Sequence, residues 1–302
     1  MSYATTGALI LENDHRYYSR QSHVMAVSGD YDGALKSLDM AIRLNPEMLS
    51  YRNERIKLLE ILDKQIEIIN ECDSVIQKFP KDIEFRMIKF KTLKKMELYN
   101  EALRILNEII EIDPYDPQYS WERAKFLGEF DQRQDALIEL DRLISLDPEN
   151  PEYRAGRAEL LIEMGELERA LQDYNEAIRL SEANIQIMFQ KALLLEQMKK
   201  LKDAEKIYQK IIEIRPHEIP SFQAYADHLE ARKNYHKAVE MYNRMIALDP
   251  VKFDLYIERG SLFEELGMIE EALRDYSAYL ENNSHNRSIA ERIDDLKKLK
   301  RQ

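Results

Sequence analysis

The sequence predicts an all-α solenoid of eight 34-residue helix-turn-helix repeats followed by a C-terminal cap helix. Three observations carry this expectation. Pro46, Pro80, Pro114 and Pro148 are spaced by 34 residues, and Pro216 and Pro250 keep that register after one missed beat at Glu182. Alanine keeps the same interval at Ala34, Ala102, Ala136, Ala170, Ala204, Ala238 and Ala272, broken only by Ile68. Glycine is scarce, 8 in 302 residues, whereas a nucleotide-binding α/β enzyme or a β-sandwich needs many glycines for its turns. A fixed period of this length marks a repeat array.

The phase divides the chain into a leader, residues 1–12, then repeats 13–46, 47–80, 81–114, 115–148, 149–182, 183–216, 217–250 and 251–284, then a tail, 285–302. In the leader, Ala8–Leu11 either covers the first helix or docks another chain. Each repeat carries two apolar stripes. In repeat 5, Tyr153, Ala158, Leu161 and Ile162 form the first. After Met164-Gly165-Glu166, a second stripe runs through Leu167, Ala170, Leu171, Tyr174, Ala177 and Ile178. Both spacings are helical, which gives two amphipathic helices, A and B, joined by a tight turn. Gly29, Gly165 and Gly267 sit in that turn, where a left-handed backbone is cheap for glycine. The proline is expected to stop helix B, because it lacks an N–H and disfavours helix in the preceding residue.

The helix-B alanine faces a small helix-A residue, namely Ala124, Ala158, Ala192, Ala226 or Gly260, so the two helices can approach closely. Ile56 and Phe90 replace the helix-A small residue in repeats 2 and 3, and Ile68 replaces the helix-B alanine. Bulk there predicts a wider or re-angled pair, since interiors are close-packed. In the tail, Ile289, Ile293 and Leu296 share a stripe and the basic residues gather at its end, which suits a cap helix. No single repeat can bury its apolar face alone, so the repeats must stack.

These residues make the chain resemble the tetratricopeptide-repeat (TPR) family over about nine-tenths of its length. The resemblance rests on Gly165-Glu166-Leu167…Ala170…Tyr174…Ala177, on Gly267-Met268-Ile269…Ala272…Tyr276 and on Gly29-Asp30-Tyr31…Ala34…Leu38…Ala41…Pro46. The family's helix-A tryptophan is mostly absent. An aromatic stands one position earlier at Tyr17, Tyr51, Phe85, Tyr119 and Tyr153. The resemblance implies a right-handed superhelix with a concave groove lined by A helices. Chaperone-tail-binding members hold a carboxylate with a lysine/asparagine/arginine clamp. The matching positions here hold Ser19, His23, Glu54 and Glu84, so that partner is not implied.

Charge and composition narrow the function. Lys and Arg total 44 against 56 Asp and Glu, a net charge of −12. An acidic chain is ill suited to nucleic acid, where basic side chains supply most of the affinity. The single cysteine, Cys72, cannot form an internal disulfide and is expected to be a small buried hydrophobe. No apolar run reaches the roughly 20 residues of a membrane span, and no basic residue precedes Ala8–Leu11 as a secretory signal requires. A cytoplasmic protein is therefore expected. There is no phosphate loop, HExxH or CxxC, and the six histidines show no ligand spacing. The histidines are expected at the surface, and neither a cofactor, a metal nor an enzymatic activity is expected.

Two charge patterns remain. A cation recurs on helix A at Arg55, Lys89, Arg123, Arg157, Lys191 and Arg259. It is read as a structural rung whose head pairs with nearby carboxylates rather than as an anion-binding ladder. The groove positions implied by the resemblance change sign along the chain. Asn53, Lys57, Lys91, Lys94, Lys95 and Lys125 make repeats 2–4 basic. Glu159, Glu163, Glu196, Asp227 and Glu264 make repeats 5–8 acidic. Met87, Trp121 and Phe189, with Ile257, are interleaved as candidate anchors. The expectation is an adaptor that binds a peptide or partner helix in this groove. The alternative is an immunity protein or dedicated chaperone that neutralises a basic partner such as a nuclease toxin.

Overall fold

A computed structural model describes residues 14–300 of the chain. The leader strip Ala8–Leu11 lies outside the described residues. Among them there are seventeen α-helices and no strand. In chain order, the 34-residue intervals hold α1 (His15–Val27) and α2 (Tyr31–Leu44), then α3 (Leu49–Ile61) and α4 (Gln65–Lys78). Next come α5 (Glu84–Lys95) and α6 (Tyr99–Ile112), then α7 (Pro117–Glu129) and α8 (Arg133–Leu146). They are followed by α9 (Pro151–Glu163) and α10 (Leu167–Leu180), then α11 (Ile185–Gln197) and α12 (Leu201–Ile214). The last are α13 (Ile219–Ala231) and α14 (Tyr235–Leu248), α15 (Asp254–Glu265) and α16 (Ile269–Asn282), and finally α17 (Arg287–Leu299). The chain divides inside α8 into two compact units, one ending at Glu139 and one beginning at Leu140. In the first unit, helices α1 to α7 each pack on their sequence neighbours; in the second, α9 to α17 do so. No helix among the described residues is long and apolar enough to cross a membrane.

Every A–B turn has the same backbone. Residues 29, 63, 97, 131, 165, 199, 233 and 267 all have positive φ, between 56° and 86°. The next N–H reaches back five residues to a helix-A carbonyl: Asp30 to Met25 at 2.9 Å, Lys64 to Leu59 at 2.9 Å, Lys200 to Leu195 at 2.8 Å. That pairing satisfies carbonyls the helix end leaves free. Only Gly29, Gly165 and Gly267 adopt it without a Cβ; Asp63, Glu97, Asp131, Lys199 and Lys233 hold it under strain.

Helix B ends two residues before each proline, but it ends at the same beat in repeat 5, where Glu182 replaces proline. Ser181 there is extended, φ −140° and ψ 82°, much like Asn45 at φ −141° and ψ 81° before Pro46. The proline therefore reinforces a stop that the next repeat's packing already imposes. Four of the eight A helices start on an Asx cap: Asp14, Asp116, Asn150 and Asn184 each accept a hydrogen bond from a first-turn N–H.

The core lies at the crossings. Ala34, Ala102, Ala136, Ala170, Ala204, Ala238 and Ala272 are fully buried, and so are Ala158, Ala192 and Ala226. Cys72 is enclosed likewise, and burial pushes its thiol up to about 12. In repeat 2, Ile56 and Ile68 are both buried, and the backbones of α3 and α4 lie close over a shorter stretch than in repeats 1, 3, 5, 6, 7 and 8. Phe90 in repeat 3 meets the normal Ala102 and does not shorten the approach. One bulky partner is absorbed; two push the helices apart. In α17, Ile293 and Leu296 are buried and Ile289 half-buried against Ala272 and Tyr276.

The strained turns give a direct test. Lys233→Gly relieves a left-handed residue whose strain is on the order of 1 kcal/mol, partly offset by the greater freedom of glycine in the unfolded chain. The expected result is a net gain of about 0.5 kcal/mol by urea unfolding, while Gly165→Lys loses about 1 kcal/mol or more.

Candidate partner-binding faces

The recurring helix-A cation is a clip between two B helices. On α3, Arg55 Nε donates to Asp39 of α2 and Arg55 Nη1 to Glu71 of α4, both at 2.8 Å. Lys89 of α5 donates to Asp73 at 2.5 Å. Arg123 of α7 reaches Asn107 at 3.1 Å and pairs with Glu139. Arg157 of α9 spans Asp141 at 2.7 Å and, bidentately, Asp173 at 2.7 and 2.6 Å. Arg259 of α15 spans Asn243 at 2.6 Å and Asp275 at 2.8 and 2.7 Å. The partners stand 16 residues before and 16 after the cation, so at Arg55, Arg123, Arg157 and Arg259 the clip joins helix A to the B helices on either side, while Lys89 has Ile105 at the following position and reaches one side. Asp173 and Asp275 are buried, and a buried carboxylate needs this pairing.

Two rungs differ. In repeat 6, Lys191 is flanked at those positions by Asn175 and Ile207. In repeat 7 the position is Tyr225, whose hydroxyl donates to Glu205 at 3.1 Å. Lys237 at 2.8 Å and Arg232 at 2.6 Å also donate to Glu205, and Lys237 first among them brings its carboxyl down to about 2.

In the N-terminal unit, the other helix-A face carries the expected lysines. Lys57 and Lys91 are exposed and make no hydrogen bond or ion pair with the described residues. The others are engaged. Lys94 pairs with Glu129 at 2.5 Å and lies over the Phe126 ring, while Lys95 pairs with Asp63 at 2.7 Å. Lys125 pairs with Glu122 at 2.7 Å and lies 5.6 Å over the Trp121 ring. Asn53 donates to Glu84 at 2.9 Å. Met87 packs on the cluster of Phe90, Leu93 and Phe126. Trp121 is half-buried. Neither Met87 nor Trp121 is freely exposed: Met87 packs on the core and Lys125 lies over the Trp121 ring.

In the C-terminal unit, Glu159, Glu163 and Asp227 are exposed. Gln190 donates to Glu159, and burial raises the Glu159 carboxyl. Gln223 donates to Asp227 at 2.9 Å. Glu196 and Glu264 depart from the expectation, being half-buried structural acceptors. Tyr208 Oη donates to Glu196 at 3.1 Å, and Tyr276 Oη to Glu264 at 2.6 Å. Each also holds a basic side chain from the next helix A or the cap: His228 Nδ1 lies 2.5 Å from Glu196, and Arg292 Nε 2.9 Å from Glu264. Phe189 packs on the core, its ring centroid 6.3 Å from that of Tyr208, and Ile257 packs on the Tyr276 cluster. His228, expected at the surface, is only 4% exposed, with Nε2 buried and without a hydrogen-bond partner. It occupies a core position of α13 where the other A helices carry mostly apolar residues such as Leu160, Leu194 and Leu262.

Glu230 is the third member of this series. It stands 12 residues before Tyr242, as Glu196 stands before Tyr208 and Glu264 before Tyr276. No cation reaches it, since Leu262 stands where His228 serves Glu196. Glu230 Oε1 is buried without a partner. Burial, together with the negative charges of Asp227 and Glu258, raises its carboxyl. The Glu…Tyr spacing recurs at the repeat interval and was visible in the sequence, but only packing shows that it is a bond. Among the described residues no group of three or more His, Cys, Asp or Glu is placed to hold a metal.

Two substitutions test these roles. Arg157→Met strands the buried Asp173 carboxylate and is expected to destabilise by about 3 kcal/mol, measured by urea unfolding. Glu230 carries a raised pKa in the folded chain, so the folded state holds the proton to a higher pH than the unfolded state does. Stability from this group therefore falls as pH rises through the raised value. Glu230→Gln is expected to raise the thermal midpoint at pH 7, with the gain closing toward pH 4.

Residues 225–296 match a tetratricopeptide-repeat family model, and residues 131–211 match the model of anaphase-promoting complex (cyclosome) subunit 3. No curated protein matches the chain. Among solved structures, MamA is similar at 18% identity, over 56% of this chain and 93% of that one, with a TM-score of 0.46. A tetratricopeptide repeat protein from Parabacteroides merdae is 17% identical over 93% of this chain and 97% of its own, with a TM-score of 0.44. YrrB, described as a TPR protein with an unusual peptide-binding site, is 17% identical over 60% and 93%, with a TM-score of 0.42. In its 34-residue register and its paired helices the chain is similar to the tetratricopeptide-repeat family, whose model matches residues 225–296.

Proposed function

We propose that the chain is a non-enzymatic adaptor that holds a protein or peptide partner against its helix-A faces. The observation that carries this reading is the opposite charge of the two faces. The N-terminal unit presents Lys57 and Lys91 unpaired, with Lys94, Lys95 and Lys125 beside them. The C-terminal unit presents Glu159, Glu163 and Asp227. The basic face suits an acidic stretch of a partner and the acidic face a basic one, and charge pairing of this kind sets orientation and association rate more than affinity. Asn53, Met87, Trp121 and Phe189 border these charges as partly covered contact surface, and Glu196 and Glu264 support the face from beneath. The second reading, a chain that neutralises a basic partner, is favoured by the acidic face alone.

The test begins with crosslinking capture of the partner and its identification by mass spectrometry. Its affinity is then measured against Lys57→Glu/Lys91→Glu and against Glu163→Lys/Asp227→Lys. The adaptor reading expects each pair to weaken binding at least tenfold, about 1.4 kcal/mol, and association to slow steeply with salt. Loss from the acidic face alone selects the second reading. Unchanged affinity in both removes the helix-A faces as the site.

A further inference from the structure

Arg55, Arg123, Arg157 and Arg259 reach both flanking B helices and Lys89 reaches the preceding one alone, with Ile105 at its following position; each has at least one carboxylate 16 residues away. Lys191 occupies the same place on α11 without either acid. Asn175 of α10 stands at the preceding position and Ile207 of α12 at the following one, the latter packed on the core. Lys191 makes no hydrogen bond or ion pair with the described residues. We propose that Lys191 is an acylation site, taking an acyl group from an acyl phosphate or an acyl thioester.

The chemistry requires a free amine. The nitrogen lone pair attacks the carbonyl carbon, and the C–N bond forms. The C–O or C–S bond then breaks, phosphate or thiolate leaves, and the nitrogen gives up its proton to water. An ammonium has no lone pair to offer, and a neighbouring carboxylate keeps it an ammonium. Lys237 beside Glu205 is held in that way. Lys57 and Lys91 lack acids but are exposed. Lys191 lacks an acid and is half-buried. Its half-buried stem and the like charge of Lys210 both disfavour the ammonium, opposed only by Asp203, which is already paired with Lys206.

Access runs along the rung. The acids at the preceding position, Asp39, Asp73 and Asp141, are 50%, 51% and 52% exposed, so each rung opens to water at that end. Asn175 is exposed at the same place. A reagent reaching Lys191 from there meets an amide instead of a carboxylate. Acylation then removes a partly desolvated, unpaired charge, whereas neutralising Arg157 would strand Asp173.

The folded chain is treated with acetyl phosphate at pH 8 for short times, and acetylation at each lysine is quantified by peptide mass spectrometry. Lys191 is expected to react several-fold faster than Lys89 and Lys57. Asn175→Asp, which restores the acid found in repeats 2, 3 and 5 at an exposed position, is expected to slow Lys191 several-fold without affecting Lys57. Equal rates at Lys191 and Lys89, or an unchanged Lys191 rate in Asn175→Asp, would overturn the assignment. Independently, Lys191→Gln is expected to keep or raise the thermal midpoint, while Arg157→Gln lowers it. An equal drop in both would make Lys191 an ordinary structural rung.

Discussion

The structure depends on the close approach of two helices at a small residue. A two-helix repeat exposes as much apolar surface as it covers, so it gains stability only when the next repeat closes over it. That closure requires the helices to meet at a fixed distance every 34 residues. The fully buried alanines of the B helices, from Ala34 to Ala272, set that distance, and Ala158, Ala192, Ala226 and Gly260 answer them from the A helices. Where Ile56 and Ile68 meet, the backbone contact shortens; where only Phe90 is large, it does not. The tolerance therefore belongs to the pair, since volume is shared across the crossing.

Polar side chains fix what apolar packing leaves free. Apolar surface is non-directional, but an arginine that must reach carboxylates on two B helices accepts few rotations of helix A. Arg157 between Asp141 and Asp173, and Arg259 between Asn243 and Asp275, act in this way. The Tyr–Glu bonds at Glu196 and Glu264 tie the other face of helix A to its own helix B. Much of the charge that repeats in this chain is thus committed to holding neighbouring helices in register. Lys57 and Lys91 stand outside these bonds, exposed on their helices.

This separates what was legible from what was not. Arg55, Lys89, Arg123, Arg157 and Arg259 pair with carboxylates as a cation next to a buried helix crossing is expected to, its stem along apolar surface, whereas Lys191 does not. The turn was legible at Gly29, Gly165 and Gly267, but Lys199 and Lys233 adopt the same left-handed backbone without any mark in their residue type. The groove list mixed two kinds of residue. Lys91 and Asp227 stand on the surface, while Glu196, Glu264 and Phe189 occupy equally polar-looking or aromatic-looking positions and are taken up by Tyr208, Tyr276 and the core. Position on a helix gives the direction of a side chain. It does not say whether a residue 12 or 32 positions away has already met it.

The sequence by itself determined the helices, their pairing and the interval at which they repeat, because periodicity and residue size act locally and survive in one dimension. The tertiary structure alone decided which charges are bound and which are free. His228 buried on Glu196, Glu230 left without a cation and Lys191 left without an acid are outcomes of side chains from different repeats meeting or failing to meet. A charge is satisfied by distance in space, and in a stacked array that distance is set by the helix crossings rather than by the neighbours along the chain.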